Sequence, residues 1–296
     1  MGAHRTVNAS LGASGIFGTE HRRLLGYLDR RREGAEARGL GEVYPEAVRA
    51  VAATTWRLRM INEHRSSGVF AALQRQLIEA STPFAVQTVT LRMALDEIHH
   101  AGLCGALVEA FGEAPSAEAE PTLAALPRHG DVSPLDRAVR NVMFIGCLAE
   151  TAAVALVSNE RSLATEPLVR ATLDQILGDE ISHARFGWQF VSDAAPSLSV
   201  TEREGINRWL RLAFGALEAS ELAFLPVWAD PSRELRETRE AVGLCEADDA
   251  RAIFYETVET VVVPRLEAMG FDAQRAYAGR LRESRREGEM AVSSSG

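Results

Sequence analysis

Asp96-Glu97-Ile98-His99-His100-Ala101 and Asp179-Glu180-Ile181-Ser182-His183-Ala184 are two near-copies of one short stretch. Residues three apart share a helix face, so each copy aims a carboxylate and an imidazole at one point: Glu97 with His100, and Glu180 with His183. That is the metal-ligand spacing found in the cores of four-helix bundles. A single Glu-x-x-His is weak evidence in a chain of this size. Two copies in register, sharing Asp, Glu, Ile, His and Ala, argue against the alternative of solvated helix faces. The alignment also selects His100 over His99, because only His100 matches His183. His99 is expected beside the site or at the surface.

Each copy lies within a long amphipathic segment, and the punctuation between segments gives the organisation. A first helix is expected from about Pro45 to Ala80, stopping at Ser81-Thr82-Pro83, and a second from about Phe84 to Phe111, stopping at Gly112. Pro115, Pro121, Pro127 and Pro134 make the following stretch a long connection. Ser133 as cap and Pro134 at the first helical position open a third helix reaching about Glu160. A fourth runs from about Glu166 to Ala194. Thr201 with Glu204 reads as a capping box that opens a fifth, ending near Leu225. Helical stretches are expected again at about Pro231 to Leu244 and Ala247 to Met269, the latter kinked near Pro264. The fold class is all-α, a four-helix bundle with one long crossover connection. Residues 1–44 read as an N-terminal arm with a short helix around His21 to Arg32. Residues 45–194 are the bundle, 195–281 are C-terminal helices packed on it, and 282–296 are a solvated, disordered tail.

A two-metal centre also needs carboxylates from the first and third helices, expected here as the bridging ligands. From Val142 to Val157 the chain reads VMFIGCLAETAAVALV, where Glu150 is the one charged group. An ionised carboxylate in such a run is costly unless paired, protonated or metal-bound. A neutral buried Glu is the alternative. In the first helix Glu63 shares a stripe with Trp56, Met60, Ser67 and Phe70. His64, its neighbour, points about a quarter-turn away, and Glu79 lies too near the turn. Glu63 precedes Glu97 by nearly the same interval that separates Glu150 from Glu180, so the chain repeats the site in each half.

The chain has 296 residues, 32 Lys plus Arg against 41 Asp plus Glu, a formal charge of −9 and 46% hydrophobic residues. One large domain or two modest ones fit that length, and the core can hold a buried polar site. The acidic balance weighs against nucleic acid as a partner. Cys104, Cys147 and Cys245 are isolated in apolar stretches and read as reduced core thiols. The N-terminus lacks the apolar segment of a secretory signal, and no run is read as a membrane span, so the expected compartment is the cytoplasm, with no membrane partner. Trp209, Phe214, Phe224 and Trp228 read as core more readily than as a channel lining, and Trp56 as packing more readily than as an electron relay.

The set Glu63, Glu97, His100, Glu150, Glu180 and His183 resembles the ligands of the ferritin-like carboxylate-bridged diiron superfamily. The resemblance covers about Pro45 to Ala194, and Asp-Glu-x-x-His is similar to the pattern of its oxygen-activating oxidases and monooxygenases. It implies a ferritin-like bundle holding two iron ions, or a manganese–iron pair. It further implies that Asp96 orients His183 and Asp179 orients His100, the usual means of fixing a ligand imidazole. The implied function is an O2-activating oxygenase or oxidase with a small organic substrate and an external electron donor, compatible with a homodimer. A storage or detoxification protein that binds iron without catalysis is the alternative. The N-oxygenase pattern has an extra His here absent, since the one-turn neighbours of Glu180 are Ile176 and Ala184. The C-terminal hundred residues are expected to roof the site and select the substrate.

Overall fold

The computed structural model describes residues 5–8, 40, 43–119, 126–225 and 233–280. The expected short helix around His21 to Arg32, the tail at 282–296 and Trp228 fall outside them. The described chain is mostly helical. Four helices make a bundle-like arrangement: α1 (Glu46–Glu79), α2 (Phe84–Ala110), α3 (Pro134–Leu163) and α4 (Pro167–Ala194). Pro45 and Pro83 precede α1 and α2, fixing φ where a helix begins and no intrahelical N–H is needed. Ser133 caps α3, accepting from the Asp136 N–H at 3.1 Å, with Pro134 in the first turn. α1 packs on α2 and α3 on α4, while α2 faces α4 and α1 faces the Pro134–Val142 end of α3. The connection between Ala110 and Pro134 joins the two hairpins.

That crossover is not wholly irregular. Arg5–Asn8 (β1) and Ser116–Ala119 (β2) form an antiparallel pair, with Arg5 opposite Ala119, which corrects the expectation of a chain without strands. Pro115 bars helix there, and the pairing gives both backbones hydrogen-bond partners.

α3 is not uniform: Met143–Ala149 forms a π-helical stretch between Pro134–Val142 and Glu150–Leu163. There α3 meets α4 at its tightest. A Cβ on Gly187 would run into the carbonyl carbon of Gly146, and one on Gly146 would lie 2.7 Å from Gly187 Cα, so only glycines permit the contact. α3 also corrects the expectation that no run is long and apolar enough to span a membrane. Its best window has mean hydropathy 1.7, but 61% of that window is buried inside the protein, the place of a core helix.

The remaining helices lie C-terminal: α5 (Val200–Ala223), α6 (Arg233–Ala241), α7 (Ala247–Thr257, a π-helical turn Val258–Val262, then Val263–Ala268) and a last helix over 273–280. The capping box of α5 is Ser199 with Glu202, two residues before the expected Thr201 and Glu204. Both pairs fit the motif, and the earlier one lets Val200 begin the helix. α6 stops before the expected Leu244 because Gly243, at φ 78°, turns the chain between Trp56, Val169 and Leu173. Trp56 donates from Nε1 to the Val242 carbonyl at 3.2 Å, a packing role. The π-helical turn Val258–Val262 lies just before Pro264, the position of the expected kink. The three cysteines are free and buried.

Two hydrophobic clusters flank the bundle's middle. One holds Phe70, Met93, Leu148 and Trp188; the other holds Met60, Cys104, Val157 and Ile176. On every helix of the bundle the candidate ligands fall between a residue of one cluster and a residue of the other.

Candidate metal centre

Glu63 comes from α1, Glu97 and His100 from α2, Glu150 from α3, and Glu180 and His183 from α4. The structure brings all six together. Glu63, Glu97, His100 and Glu180 offer ligand atoms within 4.8 Å of one another, and so do Glu97, Glu150, Glu180 and His183. The two groups share Glu97 and Glu180. Glu97 and Glu180 are thus common to both groups, whereas Glu63 and Glu150, expected as the bridging ligands, each belong to one. The reason lies in the packing. α2 and α4 face each other directly, so their inward glutamates meet between the two imidazoles.

His100 Nδ1 lies 3.5 Å from Glu63 Oε2 and 3.4 Å from Glu180 Oε1. His183 Nδ1 lies 3.1 Å from Glu97 Oε1 and 3.3 Å from Glu180 Oε2. None of these approaches has hydrogen-bond alignment: His100 Nδ1, His183 Nδ1 and Glu180 Oε2 are buried without a hydrogen-bond partner. Buried polar atoms are ordinarily satisfied, and three orphans converging from two helices are what a metal-binding donor set leaves when its ion is not counted. The donor set could hold a metal ion.

The far side of each ring is tied to the opposite half. His100 Nε2 is 3.2 Å from Asp179 Oδ2, and His183 Nε2 is 3.5 Å from Asp96 Oδ2. Asp96 also accepts from Arg92, and Asp179 from Gln175 at 2.7 Å. Phe70 packs against the His183 ring, with centroids 5.5 Å apart. His99 is buried, not exposed. His64 is exposed, and Glu79 sits near the turn, paired with Arg75 and Arg137.

Protons balance the charges of this cluster. Burial, reinforced by the charge of Glu180, pushes Glu97 well above the usual carboxylate range and does the same to Glu150. Burial opposes ionisation of Glu180 too, but Glu150 and the two imidazoles outweigh it and hold that carboxyl well below the range. Burial disfavours the imidazolium of His100, yet Asp179, Glu180 and Glu63 raise it well above normal. His183, likewise against burial, is raised to about 12 by Asp96, Glu180 and Glu97. Divalent cations would take the place of those protons.

A cavity of about 930 Å³ reaches the centre, with Glu63, Glu97, Glu150 and Glu180 in its wall. It runs between α1 and the Glu150–Leu163 part of α3. Ser220, Glu221 and Phe224 at the end of α5 and Ala250, Arg251 and Phe254 of α7 also line it. Of the four aromatic residues singled out, Phe224 lines this cavity and Phe214 is core. Trp209 is partly buried against Arg140 and His129. Residue patterns did not disclose the π-helical stretch before Glu150 or the contact of Gly146 and Gly187, one turn from Glu150 and His183 respectively. Two glycines inside helices were the available signal. No protein-family model, curated protein or solved structure matches the chain.

Proposed function

We propose that the protein is an O2-activating non-heme diiron oxygenase or oxidase acting on a small organic substrate, built on a ferritin-like bundle. The observation that carries this reading is the pair of ligand groups sharing Glu97 and Glu180, joined to a cavity of substrate size. Glu63 and His100 would complete one metal site, and Glu150 and His183 the other. Four carboxylates offset the charge of two divalent ions. Bound irons would supply two electrons to O2, one from each metal.

The chain's own groups do the rest. Asp179 and Asp96 accept from Nε2–H of His100 and His183, which leaves each Nδ1 a lone pair for metal and fixes the ring's orientation. The apolar clusters on either side shield the centre away from the cavity. The cavity admits the substrate from the α1–α3 side, next to Glu63 and Glu150.

The test begins with anaerobic Fe(II) loading, followed by addition of O2. The proposal expects two irons per chain and O2 uptake that stops at that stoichiometry when no reductant is present. Fe(II) beyond two equivalents that is oxidised and retained as mineral would establish the storage reading instead. Failure to bind two metals would refute both.

A further inference from the structure

The cavity's shape and charge specify what it accepts. Along α1 it is lined from residue 50 to residue 69, about 28 Å of helix. A sphere of its volume would be only about 12 Å across, so it is a trough and not a chamber. Its walls near the ligands are small and apolar, with Ala149, Ala152 and Ala153 around Glu150 and Leu156 one turn on. The trough exists because α1 packs closely on the Pro134–Val142 end of α3 and parts from it beyond the π-helical stretch. The buried ion pair of Arg59 Nη2 and Glu160 Oε2, 2.8 Å apart, spans the gap.

The charges are placed unevenly. Glu63, Glu97, Glu150 and Glu180 are committed to the metals, and Arg59 is cancelled by Glu160. Glu221, pushed upward by burial, is the one further acid of the lining. That leaves Arg65 and Arg251, both lining the trough and both without an ion pair or hydrogen bond among the described residues. Arg251 belongs to the first turns of α7, which pack on the far part of α3; the Asn159 amide there lies 3.5 Å from Cys245 Sγ. Cys245 lies level with Asn159 and the π-helical turn Val258–Val262 packs on Met143–Ala149, so Arg251 stands roughly one to two turns along α3 from Glu150.

We infer that the trough binds an amphipathic organic carboxylate, its anionic end beside Arg251 and its apolar body extended along α3 toward Glu63 and Glu150. The assignment of this molecule as substrate rests on the oxygenase reading. Its binding requires only that the glutamates of the two ligand groups be charge-compensated, by metal or by protons.

Binding of the n-alkanoates from hexanoate to hexadecanoate, of n-alkanols of equal length and of n-alkyltrimethylammonium ions is measured by calorimetry on the full chain, with and without Mn(II). The expected result is one site per chain, affinity that rises with chain length to a limit, and carboxylates tighter than alkanols by about tenfold, or one charge-assisted contact at an open site. Arg251→Gln should erase that preference and leave the alkanols unchanged. Ala153→Phe should shorten the longest chain accommodated in both series, with Mn(II) stoichiometry and helicity reporting that the variant is folded. Equal or tighter binding of the ammonium series, no length limit, or equal loss of acids and alkanols in Arg251→Gln would overturn the inference. Two Mn(II) ions without alkanoate binding would sink the trough alone. Alkanoate binding without Mn(II) would sink the metal reading alone.

Discussion

The two halves of the metal centre carry the same residue types and occupy different surroundings. Glu63 stands on regular helix and is partly exposed toward the trough. Glu150 is buried, follows a π-helical stretch and lies one turn from the point where α3 and α4 touch through glycine. The orienting carboxylates differ too: Arg92, a cation, holds Asp96, whereas neutral Gln175 holds Asp179. An internal repeat thus supplies a ligand set, and the local backbone decides how closed each half is. Glu97 and Glu180, at the junction, belong to both halves.

The largest expected contrast is between a shared and an unshared ligand. Glu180→Ala should abolish binding of both metals, whereas Glu150→Ala should leave about one per chain, as read by metal analysis after equilibrium dialysis with Mn(II). Equal losses in the two variants would remove the distinction between the halves' private ligands and their common ones.

Next is the glycine contact. Gly187→Leu forces a side chain into the backbone of Gly146 and should cost about 3 kcal/mol or more by denaturant unfolding. A Cβ added at Gly178, on the same helix, would meet nothing within 4 Å, so Gly178→Ala should instead stabilise by about 0.5–1 kcal/mol.

The carboxylates behind the imidazoles should give smaller effects. Asp179→Asn and Asp96→Asn should each weaken metal binding by about 10–100-fold, the first at the His100 site and the second at the His183 site. Two-site Mn(II) titrations would separate them, and weakening of the same site by both variants would break the cross-half assignment.

The smallest expected effect is on pH dependence. The folded-state values of His100, His183, Glu97 and Glu150 are raised, so the stability they contribute is full below their unfolded values and is lost as pH rises through the folded ones. Glu180 is lowered, so its contribution is constant above the ordinary carboxylate range. The metal-free protein should therefore lose stability from pH 6 to 9, and the rise in Tm on adding Mn(II) should grow over the same interval. A constant metal-induced rise across that range would contradict proton displacement.

Much of this centre is legible in the sequence because helix geometry is local. Glu97 with His100, and Glu180 with His183, need only a three-residue spacing, and Glu150 stands out as the charge in a long apolar run. Proline and serine punctuation places the ends of α1 to α4 within a few residues. What is not legible depends on pairs of distant residues. Nothing in Met143–Ala149 alone announces a π-helical stretch, since its cause is the approach of α4 at Gly187. The sharing of Glu97 and Glu180 by both ligand groups follows from α2 facing α4, and the trough from α1 parting from α3. β1 and β2 carry no period-two pattern, so their pairing leaves no trace in composition. Ser199 and Thr201 both begin acceptable capping boxes, and only the packed helix selects the first.

The central claim is that Glu97 and Glu180 join two metals. Anomalous diffraction from crystals of the Mn(II)-loaded protein tests it most directly. The expected result is two peaks about 3.5–4 Å apart, one beside His100 and the other beside His183, with both glutamates touching both ions. A single peak between the imidazoles, or two ions with Glu97 and Glu180 each bound to one of them alone, would contradict the account.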